Sequence, residues 1–138
     1  MAGQFTRLQK PYKIMDADGV RLYRGVTMTG VDECKKPVTD NAIPLGVVDN
    51  DERLDTAFQA SGDQTGRNVS VKLEGIALIE LAETVNVGDR IVLAAGGFAK
   101  AANTLTAGTV ANVLGFAEKN GVAGDVIPVR MQYHVVTI

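Results

Sequence analysis

The chain has no tryptophan, one cysteine, one histidine and four prolines, and its aromatic surface comes from only three tyrosines and four phenylalanines. Each shortage excludes something. A lone cysteine, Cys34, cannot form an internal disulfide, so no oxidising compartment is implied. So few aromatics leave the core to Val, Ile, Leu and Ala. No apolar run approaches the roughly 20 residues that a membrane span requires. The opening stretch, MAGQFTRLQKPYKIM, lacks the apolar centre of a secretory signal. The expectation is a soluble protein made in a cytoplasm, with no membrane partner. A formal net charge of −2 gives no overall electrostatic footprint for nucleic acid.

What is present suits a globular fold: 46% apolar and 22% charged residues in 138. That length makes one domain, burying roughly two-thirds of its unfolded surface without help from metal or disulfide. Residues 1–19 read as an N-terminal arm. Arg7, Lys10 and Lys13 precede the first acidic residue, Asp16, and Phe5, Leu8, Pro11 and Tyr12 fall between them without a clean period. Such an arm gains little on its own domain. The plain reading is a flexible tail; the sharper one is an extended arm that orders against a neighbour, with Phe5 and Tyr12 as anchors and the three basic residues against acidic surface. A chain without residues 1–15 is then expected to fold.

Residues 20–138 read as a single β domain. GVRLYRGVTM, VDECKKPV and AIPLGVV are short strand candidates, with Pro37 and Pro44 marking edges or strand starts. The clearest element is VSVKLEGIALIEL at 69–81. Val69, Val71, Leu73, Ala77, Ile79 and Leu81 share one parity, and Ser70, Lys72, Glu74 and Glu80 the other. Gly75 interrupts the alternation as a bulge would. Ile76 and Leu78 place apolar groups on the polar face, so that face is covered by another part of the chain or by another subunit. AAGGFAKA reads as a hairpin about Gly96-Gly97. At the end of the chain, Ile127, Val129, Met131, Tyr133 and Val135 alternate with polar positions. No amphipathic helix emerges. The fold class is all-β: a small β-barrel or sandwich of short antiparallel strands with an irregular N-terminal arm.

One phrase occurs twice. VNVGDRIVL at 85–93 and VAGDVIPV at 122–129 each place Gly-Asp before an alternating apolar run. Gly88 and Gly124 permit positive φ in a tight turn. Asp89 and Asp125 can fold their carboxylates onto N–H groups of the same turn. Gly-Asp is structural punctuation that launches a strand. A second echo links PLGVVDND at 44–51 with VLGFAEKN at 113–120.

Chemistry is sparse. His134 and Cys34 could form a nucleophile–base pair only if the fold joined them, and a surface histidine with an inert thiol is the plainer reading. The cluster Asp49, Asp51, Glu52, Asp55 fails the calcium-loop pattern, because Leu54 stands where a glycine is needed, and reads as a solvated loop. None of the Gly-rich segments has a phosphate-cradling form. Lys119, at a turn in a small β domain, offers an alternative as a lipoyl- or biotinyl-like carrier or ligand-binding barrel, although Glu118-Lys119-Asn120 is a poor match. An enzyme using Cys34 or an acidic pair is the third class. No cofactor and no metal is expected.

IPLGVV, NVSVKLEGIALIEL, VNVGDRIVL, the Gly-Gly hairpin with FAKAA, VLGFAEKNGVAGD and the closing IPVRM follow one another from about Ile43 to Met131. In that order they resemble phage capsid cement, or head decoration, proteins of the small β-barrel type. The first 40 residues match that pattern less well. The resemblance implies a non-enzymatic virion protein, made in the host cytoplasm and seated on the outer surface of the head. It would bind the major capsid protein, clamp neighbouring capsomers, and associate with itself as a homotrimer, or else a dimer. It carries over no active site.

Overall fold

The computed structural model of the chain describes residues 4–16, 19–49 and 65–138. Asp51, Glu52 and Asp55 of the acidic cluster lie outside the described residues. Nine strands run in order: β1 (Phe5–Ile14), β2 (Arg24–Gly30), β3 (Glu33–Lys35), β4 (Gly46–Val48), β5 (Asn68–Glu80), β6 (Arg90–Leu93), β7 (Ala99–Ala101), β8 (Val110–Ala117) and β9 (Val126–Thr137). The fold is all-β, as the alternation predicts, and the described residues add two short 3-10 turns at Ala95–Gly97 and Ala102–Thr104.

The N-terminal residues differ from expectation. Instead of an irregular arm, Phe5–Ile14 form a ten-residue strand paired antiparallel to β5, from Phe5↔Ile76 to Lys13↔Asn68. Only Tyr12 and Ile14 of this strand are buried. The seven residues before them are all exposed, so no period-two pattern could form. β5 has 13 residues, as many as the alternation over 69–81 marks, and β9 has 12.

Hydrogen bonding links the strands in the order β1-β3-β2-β4-β5-β9-β8-β6-β7, and β1 also pairs with β5. The first five strands therefore form a closed ring of pairings. One link, β1–β3, is a two-residue parallel contact at Lys13↔Glu33 and Ile14↔Cys34; the other ladders are antiparallel. Tyr12, Ile14, Val26, Cys34, Val48 and Val71 fill this ring. The second half of β5 turns to a different core, where Ala77 and Ile79 meet Ile91, Leu93, Leu114 and Val129. β5 thus serves both halves of the domain.

Strand entry follows a common pattern. Gly88 has φ 87° and Gly124 has φ 90°. Asp89 Oδ2 accepts from Asn86 N at 2.9 Å, and Asp125 Oδ2 accepts from Val122 N at 2.9 Å. The two turns lock each other's strands. Gly88 N donates to Ala117 O at 2.8 Å and Ala117 N to Asp89 O at 2.9 Å; Gly124 N donates to Leu81 O at 2.9 Å and Leu81 N to Asp125 O at 2.8 Å. Midway, Val85 and Gly121 exchange both backbone bonds. Two further turns use this lock. Gly108 N donates to Ile138 O and Ile138 N to Thr109 O; Gly66 N donates to Ile14 O and Ile14 N to Arg67 O. Each of the four glycines precedes a strand by two residues.

β5 bends at Gly75, whose φ is 124°. A Cβ there would collide with Phe5 O of β1, so the close approach of β1 requires glycine. Lys72, on the polar parity, is fully buried, in contrast to the solvent face expected for it. Asp49, placed by the sequence in a solvated loop, is buried beside it. Lys72 Nζ donates to Asp49 Oδ2 at 2.8 Å and to Ile76 O at 3.1 Å, and Leu78 N donates to the same Asp49 oxygen at 2.9 Å. Paired charges are tolerated inside a protein because each satisfies the other's lost hydration.

Gly88→Val and Gly124→Val should each lower stability by about 1–3 kcal/mol, because a β-branched residue is forced to positive φ. No atom lies near enough to obstruct an added Cβ at either site, so the cost is backbone strain, and urea unfolding measures it. Asp49→Ala should cost about 3–5 kcal/mol by stranding the Lys72 ammonium, whereas the pair Asp49→Leu, Lys72→Met should recover most of that loss. If Asp49→Ala melts like wild type, the buried pair does not hold the bend.

Candidate functional site

The exposed surface of β1 is basic and apolar in turn. Phe5 is 60% exposed and Leu8 47%, while Arg7, Lys10 and Lys13 also face solvent. Two of the cations are paired: Lys10 Nζ lies 2.6 Å from Asp32 Oδ1, and Arg7 Nε lies 3.5 Å from Glu74 Oε2. The Asp32 hydrogen bond raises the Lys10 pKa, holding it protonated. Tyr12 does not belong to this surface. It packs in the ring's core, so it cannot serve as an anchor for a neighbour.

Phe5, Arg7 and Ile76 line one groove of about 550 Å³, together with Leu45, Met131 and Tyr133. The pairing of β1 with β5 brings Phe5 opposite Ile76. Leu78, expected beside Ile76 at a contact, is buried, so it presents no surface to a partner. Beyond Pro44 and Leu45 the groove joins a second one of about 490 Å³, which includes Met28, Val38 and Ile43. These three are exposed large hydrophobics. The two grooves meet around the segment leading into β4, the first lined by charged and apolar side chains alike and the second mostly by apolar ones.

β9 contributes an element that the alternation mispredicts. Tyr133 and Val135 keep the parity of Ile127, Val129 and Met131, yet each is 53% exposed. β5 leaves β9 at Ile76↔Arg130, and from there the strand runs past its core. Beside this extension, Phe116 stands opposite both Arg90 and Arg130 in the ladders. The guanidinium carbons lie 5.9 and 5.3 Å from its ring centre. His134 stacks on the same ring at 5.3 Å and 19°. Arg90 Nε donates to His134 Nε2 at 3.2 Å, which leaves the imidazole proton on Nδ1, 2.8 Å from Gln132 O. Isolated residues in three separate strands carry no sequence signal for this cluster.

The remaining chemical candidates are set apart. Cys34 sits in the ring's core, where burial, aided by the Asp16 charge, pushes its thiol up to about 12. His134 is engaged with Arg90, Gln132 and Phe116 on another strand. Lys119 is exposed in a loop tied down on both sides of the domain's repeat: Asn120 Oδ1 accepts from Val87 N at 2.7 Å, and Gly121 bonds to Val85. That is unlike a free hairpin tip that offers a lysine for modification. Among the described residues, no three metal-ligating side chains gather.

The described residues thus present a β body with two open surface grooves and a buried, protonated thiol. The family model described as structural cement protein (E217 gp24/Pam3 gp6) matches residues 1–132, and the chain belongs to that family of phage structural proteins. The match includes the N-terminal 40 residues, which the order of motifs alone left outside. Among solved structures, the head fiber gp8.5 N base of bacteriophage phi29 is similar, with a TM-score of 0.60 and 17% identity over 91% of this chain and 93% of that one. That likeness concerns the fold. Among curated protein sequences no relative matches.

Native Cys34 should resist iodoacetamide at pH 8 and react after unfolding in urea. Because its folded pKa lies above the unfolded value, its contribution to stability is complete below about pH 9. That contribution falls between about pH 9 and 12, by at most about 1.4 kcal/mol per pH unit. Cys34→Val should remove this alkaline component; an unchanged alkaline slope would contradict the assignment.

Proposed function

We propose that this protein coats the outer surface of a phage head and cements neighbouring capsomers of the major capsid protein. In this reading it acts as a homotrimer, with a dimer as the smaller alternative, and its role is structural, without catalysis. Family membership supports the capsid role. The observation that carries the contact is the exposed row on β1, where Phe5 and Leu8 alternate with Arg7, Lys10 and Lys13 on a strand held rigid by β5. Apolar side chains on a preordered strand bind without the ordering cost of a flexible arm, about 1–2 kcal/mol per residue. The bases then favour an acidic capsid surface. Many copies on a lattice multiply weak single contacts. The carrier reading through Lys119 has no support from these observations.

The test is co-sedimentation with heads assembled without this protein. Wild type should pellet with them, and the double variant Phe5→Ser, Leu8→Ser should bind about tenfold or more weakly with unchanged melting. Higher salt should weaken wild-type binding, since the basic row is exposed. Deletion of residues 1–15, which removes Tyr12 and Ile14 from the core, should unfold the domain. Absence of wild-type binding to such heads would overturn the reading.

A further inference from the structure

We infer that the free edge of β9, over Met131–Thr137, is a second binding site that receives an extended acidic segment of the capsid subunit as an added strand. This rests on the cement reading above and names a contact that reading leaves open.

Three observations converge on that edge. The first is the open ladder. β8 pairs with β9 as far as Val110↔Thr137, whereas β5 pairs with it only as far as Arg130. Among the described residues, no strand occupies the β5 side beyond Arg130. Pro128 O accepts from Glu118 N on the β8 side at 3.0 Å, and Ile138 exchanges bonds with Gly108 and Thr109 on that same side. The β8–β9 register shifts between Val113 and Gly115 and is regular from Val113↔His134 to Val110↔Thr137; backbone groups alternate sides along a strand, so over this regular stretch those of Val135 and Thr137 face the open side. Unpaired groups of this kind are a template for strand addition.

The second is how unguarded this edge is. Proteins blunt open edges with charge or proline. The outer edge of β1 carries Arg7, Lys10 and Pro11. Gln132–Thr137 carries neither a lysine, an arginine, a carboxylate nor a proline. It presents Tyr133 and Val135, and the groove with Phe5 and Ile76 lies alongside to take alternate side chains of the incoming strand.

The third is charge. Arg7 and Glu74 offset each other in the groove, and Arg130 is the cation left there. With Arg90 it flanks the Phe116 ring, and among the described residues neither arginine makes an ion pair. Exposed guanidinium groups held over an aromatic ring are preset to accept a carboxylate in a two-point contact. An acidic side chain on the added strand fits that requirement.

The test uses the whole protein and heads assembled without it, at low and moderate salt. Val135→Pro should lower head affinity at least tenfold while melting stays near wild type, because the N–H that it removes faces the open side. Arg90→Ala with Arg130→Ala should lower affinity to a similar extent and flatten its salt dependence, and Arg130→Lys should restore part of the loss of Arg130→Ala. If Val135→Pro fails to fold, Val135→Lys, which guards the edge without touching the backbone, decides the matter. Variants that bind as wild type does would overturn the β9 site while leaving the cement reading intact. Heads that bind no wild-type protein would overturn both.

Discussion

The bend in β5 depends on one buried ion pair. Asp49 follows β4, and its Oδ2 holds both Lys72 Nζ and Leu78 N. Lys72 also reaches Ile76 O. These partners bracket Gly75, so a single carboxylate clamps the strand on either side of its bend. The first half of β5 can then close the ring with β1 and β4, and the second half can pair with β9. A hydrophobic pair of similar size could stabilise the region as well. It could not direct hydrogen bonds at both Ile76 and Leu78, which is what fixes the angle between the two halves.

Glycine does matching work on the strands themselves. A Cβ on Gly46 would collide with Lys72 O, and one on Gly115 with Arg130 O. These two glycines come from the paired phrases PLGVVDND and VLGFAEKN. The echo therefore has a shared physical cause: each Leu-Gly lets a long strand, β5 or β9, pass at close range. After the glycines the phrases diverge, because Asp49 is buried beneath β5 while Glu118 is exposed.

The sequence made the strand content legible where burial is periodic. In the body of β5 and the first part of β9, one face meets a core, and the alternation reports it. It failed where a strand is held by its backbone alone. β1 buries only two side chains, so its pairing with β5 left no trace in residue type. The turn lock was half visible. Gly88 and Gly124 announce themselves because Asp89 and Asp125 follow them. Thr109 and Arg67 occupy the same place after Gly108 and Gly66, and there the backbone bonds persist without a carboxylate. The Lys72–Asp49 pair was hidden for a different reason. It joins positions 23 residues apart, and no local pattern can anticipate which charge will follow another into the interior.

The same geometry explains why the proposed binding surfaces lie where they do. A bent strand cannot cover its neighbours along their whole length. Once β5 turns at Gly75 to pair with β9, it must leave β9 at Arg130, and β9 continues to Thr137 on β8 alone. The groove between Phe5 and Tyr133 opens at that parting, with Ile76 of β5 in its wall. The open edge, the groove and the exposed row on β1 are thus consequences of one bend, clamped by one ion pair. A cement protein gains from that arrangement. In the proposed role, the contact surfaces stay exposed without local unfolding and hold fixed relative positions, which binding several lattice subunits at once demands.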